Sequence, residues 1–531
     1  MNPEKQQVDV IVLGAGYAGA LTAMIARKNG CNVLLVEKGR HPRMMIGEST
    51  TPLTNLLLEE IANEFHLPFL LDFSQWGKWK RLHPDLKVGL KRGFGFYNHC
   101  TDQKVEPSSL WNKELLVAAS PSNFVADTHW WRADWDSFLV DQCRSLGIEY
   151  WDKTEALKLC EEKDGISLTL QNEGGQLQVK GSLLIDATGG GNGVARLLRL
   201  KASPLEHTPD TFAVYSHFEE VATIGSIEDF NQERSLPYPP ENAAIHHMID
   251  DGWVWSLRFD HGTVSAGAIL KESSYEYLKE KTPDFIWQHL LKHYPKLGKL
   301  FQHVNPIYPI RRIDRVGFQM EKSHGNRWIM LPSSAGFVDP LLSTGFPLTL
   351  LGIQRLGKFL APSELRKQGL LIPLRDIAKL SRHELNLVDR LIGTLFATMN
   401  DFRHFAVTTL IYFAIVSFSE TARRLGRHHQ SSGFLLSEQS EMSKKIISTL
   451  EKIQKIHQSK DSPEVKWATI QALVESTIEP INVIGLSTRS NPPHFPAKFG
   501  ALFENADKLG VSKAEIQSML ERLNLTSAQT D

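Results

Sequence analysis

Gly14-Ala15-Gly16-Tyr17-Ala18-Gly19 lies between an apolar run, Val8 to Leu13, and a helical stretch from Ala18 to Asn29. A second apolar run, Val33 to Val36, follows. Short, continuous apolar runs of this kind are what strands buried on both faces of a parallel sheet require. The first forty residues therefore read as a β-α-β unit. In a GxGxxG turn the first glycine permits the tight bend, the second lets backbone approach a pyrophosphate, and the third lets helix pack closely on strand. Glu37, at the end of the second strand, is placed to accept hydrogen bonds from a ribose. Strand, helix and acidic residue together separate this segment from a glycine-rich turn without a ligand. Gly14, Gly16, Ala18, Gly19 and Glu37 are the first candidate cofactor contacts. The unit does not by itself distinguish NAD from FAD.

A chain of 531 residues buries a large core and is expected to form more than one lobe. With 59 basic and 60 acidic residues, no charge excess favours nucleic acid or a membrane surface. The four cysteines, Cys31, Cys100, Cys143 and Cys160, show no CxxC spacing, which argues against a disulfide framework and a zinc site. No metal site is expected. The longest apolar run, Ala406 to Phe418, is broken by Thr408 and Thr409 and is too short for a bilayer; it reads as a buried or substrate-lining helix. The polar start, Asn2 to Gln7, runs straight into a strand, so the expectation is a cytoplasmic chain with no signal peptide.

Strands alternating with helices are read up to about residue 200, and Leu183–Ala187 and Arg327–Leu331 are strands leading into glycine-containing turns. Phe212 to Gly267 carries strand-like segments with turns at Asp251-Gly252 and His261-Gly262, the pattern of an antiparallel sheet. From about residue 370 the pattern is helical. The division expected is 1–370, a nucleotide domain with interleaved sheet segments near 85–130 and 210–310, and 371–531, a helical C-terminal region.

Several segments carry chemistry. Phe337-Val338-Asp339-Pro340-Leu341-Leu342-Ser343-Thr344-Gly345 places a turn at Asp339-Pro340 and a helix start at Ser343-Thr344-Gly345, where unpaired N–H groups attract anions. Gly47-Glu48-Ser49-Thr50-Thr51-Pro52 precedes an amphipathic helix; Thr51 suits the N-cap and Pro52 the first helical position. Glu48 is not needed for that and is a candidate cofactor contact. Leu90 to Tyr97 alternates as one strand, with Lys91, Gly93, Gly95 and Tyr97 on a single face. Glycines beside Lys91 leave that face open, and a desolvated lysine there has a lowered pKa and a nucleophilic lone pair. Trp253, Trp255 and Leu257 share a strand face, either a cavity wall or plain core. The helix opening Arg132-Ala133-Asp134-Trp135-Asp136 and the pairs His246-His247 and His428-His429 suggest no catalytic or metal-ligating role. Asp186-Ala187-Thr188-Gly189 resembles the D-A-x-G turn of the large two-domain flavoprotein monooxygenases. That likeness favours FAD and adds Asp186 and Gly189 to the cofactor contacts.

Taken in order, GxGxxG, Gly47 to Pro52, Lys91-Arg92-Gly93, Trp253-Val254-Trp255 and FxxPxxSxG at Phe337–Gly345 resemble the flavin-dependent halogenases. The resemblance runs over about residues 8 to 350. It implies an α/β, two-domain FAD-binding monooxygenase-like fold: a Rossmann-type GxGxxG domain, an interleaved antiparallel-sheet substrate domain and a helical C-terminal region. It implies FADH2 supplied by a separate flavin reductase, O2, and chloride or bromide oxidised to hypohalous acid. Lys91 would receive or orient that oxidant, with Ser343 beside it; Thr344 and Gly345 would bind halide; and Trp253 and Trp255 would wall the substrate. Gly47, Glu48, Ser49, Asp339 and Pro340 would lie against the cofactor.

This chain departs from the family at three places. Leu342 stands where tryptophan halogenases carry glutamate, which points to the phenol and pyrrole branch, with substrate free or tethered to an acyl or peptidyl carrier protein, in natural-product or antibiotic biosynthesis. Trp253-Val254-Trp255-Ser256-Leu257-Arg258 lacks the proline of W-x-W-x-I-P. Pro332-Ser333 replaces the Gly-Asp ahead of Ala335-Gly336-Phe337, removing an aspartate that helps hold FAD. Two other readings stay open: a flavin monooxygenase or reductase without halide chemistry, and a flavin-binding partner without catalysis.

Overall fold

The computed structural model describes residues 6–100, 109–162, 164–190, 193–227, 230, 236–302, 304–367, 370–490 and 492–523. Two large sheets organise the chain. In the first, strand Gln6–Leu13 is central, with Val33–Val36 and then Glu149–Trp151 parallel on one side. On its other side runs Gly175–Asp186, also parallel, joined at its end by Trp328–Met330. The expected alternation of strand and helix stops earlier than residue 200. Glu155–Glu161, Ile166–Asn172 and Gly175–Asp186 form an antiparallel meander because short turns, such as the one at Gly174-Gly175, leave no room for a crossover helix.

Register decides where the glycines meet the sheet. Leu13 pairs with Asp186, so the Gly14 turn abuts the Ala187 turn. Gly14 has φ +92° and lies so close to Ala187 that a Cβ would sit 2.6 Å from its carbonyl oxygen. A Cβ on Gly19 would come within 1.8 Å of the Gly14 oxygen. Helix Tyr17–Lys28 can lie on this strand only because both side chains are absent.

The second sheet runs Arg311–Ile313, Thr211–Phe218, Val264–Lys271, Gly252–Arg258, Ala243–Ile249, Gly93–Asn98, Glu114–Ala118 and His494–Phe495. Hairpins fall at Asp251-Gly252 and near His261-Gly262, as the turn residues predict. Its last strand comes from the C-terminal region, which otherwise consists of helices such as Leu371–Thr398, Phe402–Arg424, Ser440–Gln458 and Pro463–Ile478. Phe402–Arg424 is long and apolar enough to cross a membrane, but 83% of its most apolar window is buried inside the protein. Among the described residues no group of histidine, cysteine and carboxylate side chains is arranged to hold a metal ion.

The expected single strand from Leu90 to Tyr97 is two strands in different sheets. Val88–Lys91 pairs with Asp127–Trp130, whereas Gly93–Asn98 belongs to the second large sheet. The chain turns at Arg92, whose guanidinium is held by the Ser120 and Pro121 carbonyls and by Asn123. This corner breaks the alternation, so Lys91 meets Phe94 instead of sharing a face with Gly93 and Gly95. The glycines serve other neighbours. A Cβ on Gly93 would strike the Val117 carbonyl at 2.3 Å and the Tyr238 ring at 2.7 Å, and one on Gly95 would press on Tyr97 at 3.1 Å.

Gly19→Ala is expected to destabilise the protein by about 3 kcal/mol or more, an overpacking cost. Gly500→Ala, in a helix with nothing within 4 Å of the added carbon, is expected to be neutral or slightly stabilising. Equilibrium denaturation of both variants checks the contrast; equal unfolding midpoints would contradict the close-approach argument.

Candidate functional site

The fingerprint turn ends in a helix start with free donors. Gly16 is the N-cap of Tyr17–Lys28 and makes no side-chain cap bond. The nearest atom to a Cβ there would be Arg132 Nη2 at 3.4 Å, so the backbone is open to a phosphate. Ala18 is buried within that first helical turn. Glu37 is held by the backbone N–H groups of Ala15 and Gly39, both at 2.9 Å, and by Arg43 at 3.2 Å. Although burial works against ionisation, the Arg43 charge and these two bonds keep its carboxyl below the usual range. Asp186 is fully buried and accepts from the Thr188 and Val194 backbone and the Thr188 hydroxyl, at 3.0, 2.6 and 2.7 Å. Its carboxyl is thus spent on shaping the loop that presents Gly189.

A cavity of about 240 Å³ opens beside this turn. Tyr17, Gly47, Glu48, Ser49 and Arg132 line it on the nucleotide side, and Trp253, Trp255, Leu257 and Pro340 lie across from them with Ser343, Thr344 and Gly345. Tyr17 joins the two halves, packing on Phe346 with ring centroids 4.9 Å apart. Arg132 forms a bidentate pair with Asp136, at 2.9 and 2.8 Å, and its remaining nitrogen binds the Ile46 and Gly47 carbonyls. Glu48 is paired with His217 at 2.7 Å. Ser333 also lines the cavity, while Pro332 seats against Gly352, where a Cβ would lie 2.4 Å from the ring. The Pro332-Ser333 replacement therefore removes a carboxylate but keeps a turn packed on the following helix. Asp339 does not line the cavity. Its Oδ1 accepts from the Leu341 N–H at 2.9 Å, and burial pushes its carboxyl up to about 7.

The helix predicted at Ser343-Thr344-Gly345 is present as Gly345–Gly357. Thr344, its N-cap, makes no side-chain cap bond, and Ser343 takes a left-handed φ of +54°. Pro347 has no N–H, so the donors at this end belong to the residues just before it. Leu342 is fully buried, and its carbonyl accepts from the Tyr412 hydroxyl at 2.8 Å.

Lys91 has no solvent contact. Its Nζ donates to Ser49 Oγ at 2.8 Å and to the Thr50 carbonyl at 2.6 Å, and it sits 3.8 Å from the centre of the Phe94 ring. The acceptors arrive because residues 48–50 run along strand Asp127–Trp130, with Trp130 N–H bonded to the Glu48 carbonyl and Thr50 bonded to Thr128. Burial pushes the amine down to about 7, and the Asp127 charge acts against that. His246, in the cavity wall, is held neutral, pushed down to about 3 by burial and then by the Lys91 charge.

A second cavity of about 240 Å³ lies on the far side of the Lys91 contacts. Thr51, Pro52 and Phe94 line it together with Tyr412, Phe413 and the C-terminal residues Phe495, Phe499 and Leu520. Ser49 faces the first cavity and Phe94 the second, and Lys91 touches both residues. Arg132, His217, His246 and Asp127 were not singled out as functional by their sequence patterns. Only Arg132 carries a signal, the i,i+4 carboxylate of Asp136; the others are brought in by contacts between segments far apart in the chain.

Comparisons with known proteins agree with this geometry. A family model described as FAD dependent oxidoreductase matches residues 9–197. Monodechloroaminopyrrolnitrin halogenase PrnC of Pseudomonas fluorescens is 26% identical over 412 residues, 75% of this chain and 70% of that protein. Tetracycline 7-halogenase of Kitasatospora aureofaciens is 25% identical, covering 64% of this chain and 61% of its own length. The crystal structure of halogenase PltM in complex with phloroglucinol and FAD superposes with a TM-score of 0.80 at 22% identity, covering 92% of this chain and 99% of PltM. The GxGxxG turn, the buried lysine and the Ser-Thr-Gly helix start thus sit on a fold shared with a solved halogenase, and over about two thirds to three quarters of its length the chain is similar to flavin-dependent halogenases.

Proposed function

We propose that this enzyme uses FADH2 and O2 to chlorinate or brominate an electron-rich aromatic, phenol- or pyrrole-like. The substrate is presented free or on a carrier protein, and FADH2 comes from a separate reductase. The observation that carries this reading is the place of Lys91: a buried amine in contact with walls of two cavities, one beside the fingerprint and the other lined in part by Phe94, Tyr412 and Phe413.

The residues fit FAD. The Gly14–Gly19 turn with Ala18 would take the pyrophosphate and Glu37 the ribose, while Gly47, Glu48, Ser49 and Pro340 would face the ring side, and Asp186, Gly189 and Asp339 would shape the loops around it. Reduced FAD bound there supplies the activation of O2 that converts halide to hypohalous acid. The Thr344-Gly345 amides at the helix start hold the halide beside Ser343 and Trp253. Lys91, reached past Ser49, receives or orients the oxidant through its own N–H groups. The aromatic lies against Phe94, Tyr412 and Phe413 in the second cavity, where Glu420, Arg424 and Lys498 also line the wall. With Leu342 in place of an acidic residue, the substrate's own hydroxyl or ring nitrogen supplies the activation that a neighbouring carboxylate would give an indole.

Purified protein with FAD, a flavin reductase, NADH, O2 and a panel of phenols and pyrroles is expected to give mass shifts that depend on bromide or chloride. Hydroxylated product without halide would instead establish the monooxygenase reading. Lys91→Ala is expected to leave FADH2 oxidation intact and lower halogenated product by 10²-fold or more, roughly the scale of losing one positioned polar group; an unchanged yield would exclude the lysine role. Leu520→Trp, which fills the second cavity, is expected to raise the aromatic KM about tenfold while FADH2 oxidation stays constant. An unaltered KM would move the substrate out of that cavity.

A further inference from the structure

Asp127 stands directly opposite Lys91 in the antiparallel pairing of Val88–Lys91 with Asp127–Trp130. It is 2% exposed, its Oδ1 accepts from Asn55 Nδ2 at 2.8 Å, and its buried Oδ2 has no hydrogen-bond partner. The amine itself is bonded to Ser49 and Thr50. A carboxylate and an ammonium placed so deep are each costly without a counter-charge. Few other groups are available to serve. His129, on the same ribbon, and His246, on Ala243–Ile249, are both held neutral by burial and by the Lys91 field. From helix Phe402–Arg424, Tyr412 is kept protonated by burial with Asp127 adding to the effect, and Arg424 is already bound to Glu420 and Glu59. Glu420 opposes an ionised Asp127, and Arg424 favours one. Burial drives the Lys91 amine down and the Asp127 carboxyl up, and each charge restrains the shift of the other.

We propose that Asp127 is a positioning residue of the halogenation site, the counter-charge that shares one proton with Lys91 and so decides whether Lys91 presents an ammonium or an amine. The two groups make no direct hydrogen bond, so they act on each other through the field of each charge, and ammonium–carboxylate and amine–carboxylic acid have the same net charge. The link to halogenation rests on the role given to Lys91 above; the pairing does not.

The test has an arm that needs no activity. In protein labelled with [ε-¹³C]lysine, the Lys91 resonance is identified by its loss in Lys91→Met, and its midpoint is followed with pH. Asp127→Asn removes the charge that favours the ammonium, so the midpoint is expected to fall by about one pH unit or more. Reciprocally, Lys91→Met is expected to raise the Asp127 midpoint, read from [γ-¹³C]aspartate, which keeps the test decisive should Asp127→Asn not fold. Unmoved midpoints would overturn the proposal. In the second arm, the alkaline limb of the halogenation pH profile moves to lower pH in Asp127→Asn, while FADH2 oxidation does not. A uniform loss at every pH would mark a merely structural aspartate and would also overturn it. Shifted midpoints in a protein that makes no halogenated product would sink the functional reading and leave the pairing standing.

Discussion

An amine sealed from water is the constraint on which the centre of this molecule turns. Lys91 gives up hydration and recovers it through two short hydrogen bonds and the face of Phe94. A desolvated cation–ring contact is worth about 2 kcal/mol, less than the cost of burying an isolated charge. The two acceptors are therefore required, and both come from the segment that follows Gly47. That segment is fixed in turn by bonds to strand Asp127–Trp130 and by Arg132, which holds the Ile46 and Gly47 carbonyls. The wall between the cavities and the Gly47–Ser49 lining of the first cavity are thus one construction.

The same construction joins the sheets. The corner at Arg92 sends one strand into a small ribbon and the next into the large antiparallel sheet. Helix Phe402–Arg424 closes the far side, and Tyr412 reaches back to the carbonyl of Leu342 just ahead of the Ser-Thr-Gly turn. The C-terminal region consequently is more than an appended bundle, since it walls the second cavity and supplies an edge strand to the sheet.

Much of this was legible because certain signals are local. A strand, three glycines and an acidic residue impose one geometry whatever surrounds them. Gly14 and Gly19 behave as their spacing implies because a Cβ at either would collide with backbone. Thr51-Pro52 begins a helix, Gly345 begins another, and Asp251-Gly252 closes a hairpin for equally local reasons. The alternation around Lys91 misled, since a period of two holds only while a strand stays straight. The turn at Arg92 is made by carbonyls and an asparagine about thirty residues away, and nothing near Lys91 in the chain announces it.

The sequence by itself determined the nucleotide unit, the order of the major elements, the helix start at Gly345 and the resemblance to flavin-dependent halogenases, because each rests on residues within one turn or one strand. Only the tertiary structure decided that Lys91 is dry, that Glu48 is met by His217, that Asp186 and Asp339 serve their own loops, and that Asp127 stands opposite Lys91 in the strand pairing. Those outcomes depend on register between strands far apart in the chain, and on burial, which changes the charge a side chain keeps. Neither can be read from spacing alone.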